Sequence, residues 1–391
     1  MRVAVINSFG FESGGMTTLC LYYSKLGIPV YIKNIVRPLK YKLQDKDINI
    51  YTSDEELFNI SSEYDRLIFL PPAYKSDFKT GKYEKAFLPI FSIRKNNPNI
   101  QLCYLYCSRD SKDFIDYLLP TLTKNNFEFD YYFSISTELK GLKPNIICFD
   151  INAFCFHDNE KTPFSLRNKI VLTAGRVEGF KGTLKYFNNI ILSSNFAYVH
   201  EGAGFTFNQN NVSVPPQLLQ MKNNKTVVFK KYSDTPEFNK LNIYPTYKLE
   251  DIYIRWPTYF VGICCIMGTE HKYKKSSNLL GLDSWQVMDN RESTTVKRQS
   301  NLWGVNGLEY ANLEMIDLRL PVMFSRGYSE LLHFDDSRLI YDSFSEIPEK
   351  LKLLEEESYY TDCLNYQYAF FKNRQSNINK NIIDIFIKEI I

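Results

Sequence analysis

Through the first 150 residues, short apolar β-branched runs alternate with longer stretches whose apolar positions recur every three to four residues. The runs at 3–6, 30–32, 67–70, 102–106, 131–134 and 146–149 predict strands. Residues 16–26, 55–61, 85–95 and 114–122 predict helices between them, the third interrupted by Pro89. Continuous apolar strands joined by helical crossovers imply a parallel sheet covered on both faces, a Rossmann-like half. Residues 151–168 lose this rhythm and read as a linker. A second series begins at 169–173, with further strands at 196–199, 226–229 and 321–324, whereas 240–300 is less regular and rich in Lys, Tyr and Trp. The tail, 378–391, predicts a short helix with Ile378, Ile382, Ile383, Ile385, Phe386, Ile387, Ile390 and Ile391 on a broad apolar face, which must dock elsewhere. The expected class is α/β, with domains over 1–160 and 168–375 and a terminal helix, 376–391, crossing back to the first domain.

A length of 391 residues agrees with two domains, since it exceeds what one core usually serves. Hydrophobic and charged contents of 44% and 23% are those of a soluble globular protein. The 15% aromatic content suits stacking on bases or sugars, and equally the codon usage of an AT-rich genome. A net charge of +3 excludes a polybasic nucleic-acid coat. Cys20, Cys103, Cys107, Cys148, Cys155, Cys264, Cys265 and Cys363 fall mostly in apolar runs without a CxxC pair, so buried reduced thiols are expected rather than zinc or disulfides. The opening apolar run is too short for a signal peptide, and no run of about 18 apolar residues suggests a membrane span. A cytoplasmic enzyme is the expectation.

Three segments carry candidate chemistry, each at a strand-to-helix junction. Gly10, Glu12, Gly14, Gly15 and Thr17 follow the first strand and open a helix, where backbone amides and the helix N-terminus favour phosphate. The run is neither GxGxxG nor a Walker pattern, which argues against a dinucleotide or ATP; a plain turn is the alternative. Gly175-Arg176 and Lys181-Gly182 follow the first strand of the second series, with a guanidinium fork and an ammonium suited to a diphosphate or to ordinary surface solvation. Residues 308–323 read as an amphipathic helix, a tight turn and a short apolar strand. Glu314, early in that helix, could accept two hydrogen bonds from a ribose diol, or simply complement the helix dipole.

Taken in order, these segments resemble the GT-B glycosyltransferases, and among them the phage DNA glucosyltransferases that modify 5-hydroxymethylcytosine. Met1-Arg2, Gly10, Glu12, Gly15 and Thr17, then Gly175-Arg176, Phe180-Lys181-Gly182, Glu201-Gly202, Leu308-Glu309-Tyr310, Leu313-Glu314 and Pro321-Val322 carry the resemblance. It implies two Rossmann-like domains facing a central cleft. It also implies a retaining transfer from a UDP-sugar to 5-hydroxymethylcytosine in double-stranded DNA, in the cytoplasm of an infected bacterial host, by a monomer.

By resemblance, Arg176 and Lys181 bind the pyrophosphate, assisted by Gly14, Gly15 and Thr17, and Glu314 binds the ribose. Glu201, Gly202, Asn306 and Glu309 complete the donor side, and Glu12 or Asp110 positions the acceptor hydroxyl. Many retaining relatives carry a Glu eight residues before the ribose Glu. Here that position is Asn306, which leaves the sugar open between glucose and a pentose such as arabinose. The acceptor-side His and Asp of the phage enzymes fall near Cys107-Ser108-Arg109-Asp110-Ser111, where no His is present and the Asp is one position out of register.

Arg37, Lys40 and Lys42, and Lys272, Lys274 and Lys275, interleave cations with tyrosine. With Arg109 they are candidate contacts to DNA phosphates around an extruded base, and they suit solvated loops as well. Asp45-Lys46-Asp47 matches a DxD metal pattern but lies in a lysine-rich stretch, so no metal and no cofactor beyond the donor is expected. Two other functions share these features: a GT-B enzyme acting on surface polysaccharide, and a non-enzymatic DNA-binding or host-interaction protein of the same fold.

Overall fold

The computed structural model describes residues 1–8, 15–34, 48–72, 81–107, 111, 113–174, 194–201, 219–221, 227–229, 241–244, 249–264 and 310–388. The chain divides into two compact units. The first comprises Met1–Cys155, Asn301–Gly307 and Arg374–Ile391, and the second Phe156–Ser300 and Leu308–Asn373.

The first unit holds seven strands: β1 (Val3–Asn7), β2 (Val30–Lys33), β3 (Ile48–Tyr51), β4 (Arg66–Phe69), β5 (Gln101–Tyr106), β6 (Tyr131–Ser134) and β7 (Ile146–Cys148). Their order is β3-β2-β1-β4-β5-β6-β7, and every neighbouring pair is parallel. Burial explains the uninterrupted apolar runs: β1 and β4 are covered along their whole length. Helix α1 (Gly15–Lys25) follows β1, and α2 (Asp54–Glu63) follows β3. The start of α2 is dictated locally. Ser53 Oγ accepts from the Glu56 amide at 3.1 Å while the Glu56 carboxylate accepts from the Thr52 amide one residue before the cap, a variant of the capping box. Helix α3 (Lys82–Asn96) continues past Pro89, with buried Phe87, Ile90 and Ile93 setting its apolar face against the core. A turn of π-helix, Phe114–Leu118, leads into α4 (Leu119–Lys124).

The second unit holds β8 (Ile170–Ala174), β9 (Ala197–Glu201), β10 (Leu219–Met221), β11 (Val227–Phe229), β12 (Leu241–Tyr244), β13 (Val261–Ile263), β14 (Val322–Ser325) and β15 (Ile340–Tyr341). Their order is β10-β11-β12-β9-β8-β13-β14-β15. The six strands from β12 to β15 are parallel, and β10 and β11 extend one edge in antiparallel fashion. Counted in chain order, those six parallel strands repeat the 3-2-1-4-5-6 arrangement of a doubly wound nucleotide-binding sheet, as do β1 to β6 of the first unit. The α/β class is borne out. The sequence pattern missed β3, β10, β12, β13 and β15.

Four helices complete the described part of this unit: α5 (Leu249–Arg255), α6 (Tyr310–Asp317), α7 (Arg326–Leu332) and α8 (Ile347–Leu353). The last helix, α9 (Glu357–Ile387), is far longer than the tail pattern suggests. Its earlier turns belong to the second unit, where the Gln367 amide brackets β14 by accepting from Val322 N and donating to Val322 O, both at 2.7 Å. From Arg374 it belongs to the first unit. There Phe386 packs among Tyr23, Phe133 and Phe149, and fully buried Arg66 donates from Nη1 to the carbonyls of Ile385, Phe386 and Lys388 at 3.1, 2.6 and 3.2 Å. Carbonyls at the end of a helix have no partners within it, and here a buried guanidinium takes up three of them.

Candidate active site

In sheets of this order, ligands bind outside the carboxyl ends of the strands. In the first unit, β1 ends at Asn7, and α1 starts at Gly15, with Thr17 buried two residues into that helix. Gly10, Glu12 and Gly14 lie outside the described residues, as do Arg37, Lys40, Lys42, Arg109 and Asp110. In the second unit, Arg176, Lys181, Gly202, Lys272, Lys274, Lys275, Asn306 and Glu309 lie outside them too. Four expected site residues are therefore described: Gly15, Thr17, Glu201 and Glu314.

Glu201 is the last residue of β9 and is fully buried. Both its oxygens are engaged: Arg255, at the end of α5, donates from Nε to Oε1 at 3.2 Å and from Nη2 to Oε2 at 2.8 Å, and the Tyr259 hydroxyl donates to Oε1 at 3.3 Å. A carboxyl group at zero exposure needs such partners, because burying its oxygens without them would be costly. The carboxylate ties α5 to the sheet, a use that its position in the sequence does not announce.

Beside it, Thr173 on β8 and Tyr198 and His200 on β9 form a buried polar chain, with Thr173 Oγ1 bonded to the Tyr198 hydroxyl and, at 2.8 Å, to His200 Nδ1. Three polar side chains thus lie near the carboxyl ends of the two central strands, next to where the Gly175–Gly182 segment begins.

The helix-turn-strand reading of 308–323 is realised by α6 and β14, but Glu314 is the fifth residue of α6 and does not sit in its first turn. The turn is a Schellman arrangement: Leu320 N donates to Met315 O at 2.9 Å and Arg319 N to Ile316 O at 3.1 Å. Arg319 takes the left-handed conformation, φ 58°, that glycine usually fills, and its guanidinium stacks on the Tyr368 ring. Close packing against Gly262 of β13 sets the height of the helix. A Cβ there would lie 2.5 Å from Met315 Sδ. One turn earlier, the buried Asn312 donates to Cys264 Sγ at 3.2 Å, next to the carboxyl end of β13.

Glu314 lies between these levels, half-buried, and burial followed by the nearby Asp317 charge pushes its carboxyl up to about 8. Asp317, one helical turn further, is 2% exposed at its side chain. It accepts from the His157 amide at 2.6 Å and pairs with His157 Nδ1 at 2.8 Å, while Asn159 Nδ2 reaches it at 3.3 Å. Burial raises the Asp317 carboxyl and the bonds from His157 oppose that shift. Tyr253 of α5 also feels both carboxyls, with burial the larger influence on its raised phenol. The spacing of Glu314 and Asp317 was visible in the sequence, whereas nothing there linked His157 or Tyr253 to them.

Among the described residues no cluster of three or more His, Cys, Asp or Glu side chains is disposed to hold a metal ion, and no helix is long and apolar enough to cross a membrane. The seven described cysteines are free thiols, four of them buried.

No family model matches the chain, and no curated protein does. Solved structures similar to it include a UDP-glucosyltransferase from Polygonum tinctorium, at 8% identity and TM-score 0.45 over 99% of both chains. A UDP-forming α,α-trehalose-phosphate synthase from Burkholderia vietnamiensis matches at 9% identity and TM-score 0.43 over 99% of both chains. A mutant O-GlcNAc transferase from Thermobaculum terrenum matches at 11% identity and TM-score 0.42, over 98% of this chain and 69% of its own. The strand orders of this chain, rather than these distant likenesses, define its fold.

Proposed function

We propose that the protein is a GT-B-type glycosyltransferase that moves a sugar from a UDP-sugar to 5-hydroxymethylcytosine in double-stranded DNA with retention of configuration. The observation that carries the reading is the doubled 3-2-1-4-5-6 strand order. In both units a glycine-containing segment follows the first strand of that order, after β1 and after β8, at the edge where such sheets bind ligands. Two nucleotide-type sheets in one chain, each with such a segment, suit a donor on one unit and an acceptor on the other.

The donor falls to the second unit. Arg176 and Lys181 neutralise the departing diphosphate, Glu314 holds the ribose, and Asn306 or Glu309 orients the sugar. The leaving phosphate takes the acceptor proton on the same face, so no glycosidase-like carboxylate pair is needed. On the first unit Glu12 or Asp110 aligns the acceptor hydroxyl; the basic segments around Arg37 of that unit and Lys272 of the second contact DNA phosphates once the target base has been extruded. The choice of DNA rests on the sequence resemblance, as does the retaining course.

The test is incubation of the purified protein with radiolabelled UDP-glucose or UDP-arabinose and DNA with or without 5-hydroxymethylcytosine. Label should enter the modified DNA alone. No label from any UDP-sugar removes the transferase reading, and label reaching a polysaccharide acceptor but not DNA reassigns the acceptor.

A further inference from the structure

The carboxyl edge of the first sheet carries a contact with no part yet in the chemistry. The Tyr51 hydroxyl donates to Ser8 Oγ at 3.0 Å, and Ser8 is the residue directly after β1, where the glycine-containing segment departs. The strand register explains how the two meet. Asn7, Ile32 and Ile50 share one rung across β1, β2 and β3, so Tyr51, paired with Lys33, stands one rung further on, level with Ser8. Two strand spacings, about 9–10 Å, separate the two backbones. Ser8 continues the alternation of Ala4 and Ile6 on one face of β1. The Tyr51 ring lies in the core that includes Ala4, Ile6, Leu57 and Ile60, so it reaches over β2 on that same face.

Tyr51 is a rigid donor. It is 1% exposed, its carbonyl accepts from the Asn34 amide at 2.7 Å, and the Ser53 cap of α2 follows two residues later. Burial raises its phenol, so it keeps its hydrogen at any working pH. A serine hydroxyl has two lone pairs and one hydrogen. Tyr51 occupies a lone pair of Ser8, which turns the Ser8 hydrogen away from the ring, and among the described residues that hydrogen meets no acceptor. A half-buried hydroxyl, fixed on one side and uncommitted on the other, stands at the edge where sheets of this order bind ligands.

Resting on the acceptor reading above, we propose that Ser8 donates a hydrogen bond to the hydroxymethyl oxygen of the acceptor base, with Tyr51 as the positioning residue that sets the direction of that hydrogen. An ionised Glu12 or Asp110 can only accept from the acceptor hydroxyl, so a donor is the complementary partner. Ser8 keeps its hydrogen throughout. The hydroxymethyl oxygen offers one lone pair to Ser8 and the other to the anomeric carbon. As the new carbon–oxygen bond forms and the bond from that carbon to the diphosphate breaks, the hydroxymethyl hydrogen passes to the departing phosphate.

Binding of two duplexes to the full chain, followed by fluorescence anisotropy without donor, tests the contact. The duplexes differ only in carrying 5-hydroxymethylcytosine or 5-methylcytosine, so their affinity ratio reports recognition of the hydroxyl. Ser8→Ala should cut the preference for the hydroxymethyl duplex by about two- to tenfold, the worth of one hydrogen bond, and leave affinity for the methyl duplex unchanged. Tyr51→Phe keeps the ring in the core but releases the Ser8 hydroxyl to turn, and should cut the preference by a smaller factor. An unchanged ratio in Ser8→Ala, or equal weakening of both duplexes, overturns the contact. A Tyr51→Phe protein with the unsubstituted ratio overturns the positioning role. Equal binding of the two duplexes by an unsubstituted protein that still glycosylates the modified one overturns the inference alone. An unsubstituted protein that binds neither duplex removes the DNA reading, and the inference with it.

Discussion

Asp317 holds His157 by both the backbone and the ring: one carboxylate oxygen accepts the His157 amide at 2.6 Å and the other pairs with Nδ1 at 2.8 Å. The acid is buried and the imidazole is 41% exposed, so the pair fastens the segment entering the second unit to the end of α6. Replacing Asp317 by Ala would strand the His157 amide, its Nδ1 and the Asn159 amide together. The expected cost is about 2–4 kcal/mol, read as a lower urea midpoint with an unchanged slope. A loss below about 0.5 kcal/mol would show that water replaces the carboxylate without penalty.

Glu314 makes stability depend on pH in the direction opposite to a salt-bridged acid. Its folded value, about 8, lies above the ordinary carboxyl value it regains on unfolding. Between those two values the folded chain binds more protons than the unfolded one, so its contribution to stability falls as pH rises and is lost above pH 8. Glu314→Gln should remove that slope and stabilise the ligand-free protein at pH 8.5 by about 1–2 kcal/mol, discounted for partial contact with water. Thermal melts from pH 5 to 9 check it. Parallel curves for the two proteins would contradict the assignment.

The Glu201–Arg255 pair should respond asymmetrically. Glu201→Ala removes the carboxylate to which Arg255 and the Tyr259 hydroxyl donate, at a cost of about 3 kcal/mol. Replacing both partners with apolar residues of similar size should recover most of that loss. A double-mutant cycle on chemical denaturation gives the coupling directly. An additive cycle would mean the two side chains do not depend on each other.

At Gly262 the second sheet approaches α6 too closely for a side chain. Adding a methyl there forces the Met315 thioether aside and crowds Val322 Cγ2, which lies 3.3 Å from the built Cβ. Gly262→Ala should cost about 1–3 kcal/mol, and a compensating Met315→Ala should return part of it. If the single substitution stabilises the protein, the helix has more freedom against β13 than this packing allows.

The strands most legible in the sequence were those buried on both faces. The runs within β1, β4, β5 and β6 are apolar because the strands are covered on both faces, with their polar residues, Asn7, Arg66, Gln101 and Ser134, standing at strand ends. β3 escaped notice because two of its four residues, Asn49 and Ile50, are exposed and a lysine-rich stretch precedes it. β13 escaped because Val261-Gly262-Ile263 is three residues long with a glycine at its centre, which weakens any strand pattern. The length of α9 was hidden by its own chemistry. Its inward positions include Gln367 and Gln375, polar groups that satisfy backbone atoms rather than fill a core, so only the isoleucine-rich end looked amphipathic.

Glu314 could be chosen from the sequence because its helix, turn and strand are local. Its surroundings could not, since His157 lies 160 residues from Asp317, the residue it pairs with. Glu201 illustrates the complementary difficulty. A carboxylate at the end of a strand looks free until the fold brings Arg255 across to it.

The grip of Arg66 on the carbonyls of Ile385, Phe386 and Lys388 has a consequence for the order of assembly. Residues 374–391 complete the first unit, yet they are made only after the whole second unit has been translated. During synthesis the strand bearing Arg66 emerges early; Gln101 can answer its Nε within the first unit, but Nη1 stays hydrated until the closing turns arrive. The earliest part of the chain to be made is thus the last to be sealed, and a nascent chain halted before Ile385 would hold an open first unit however long it waited.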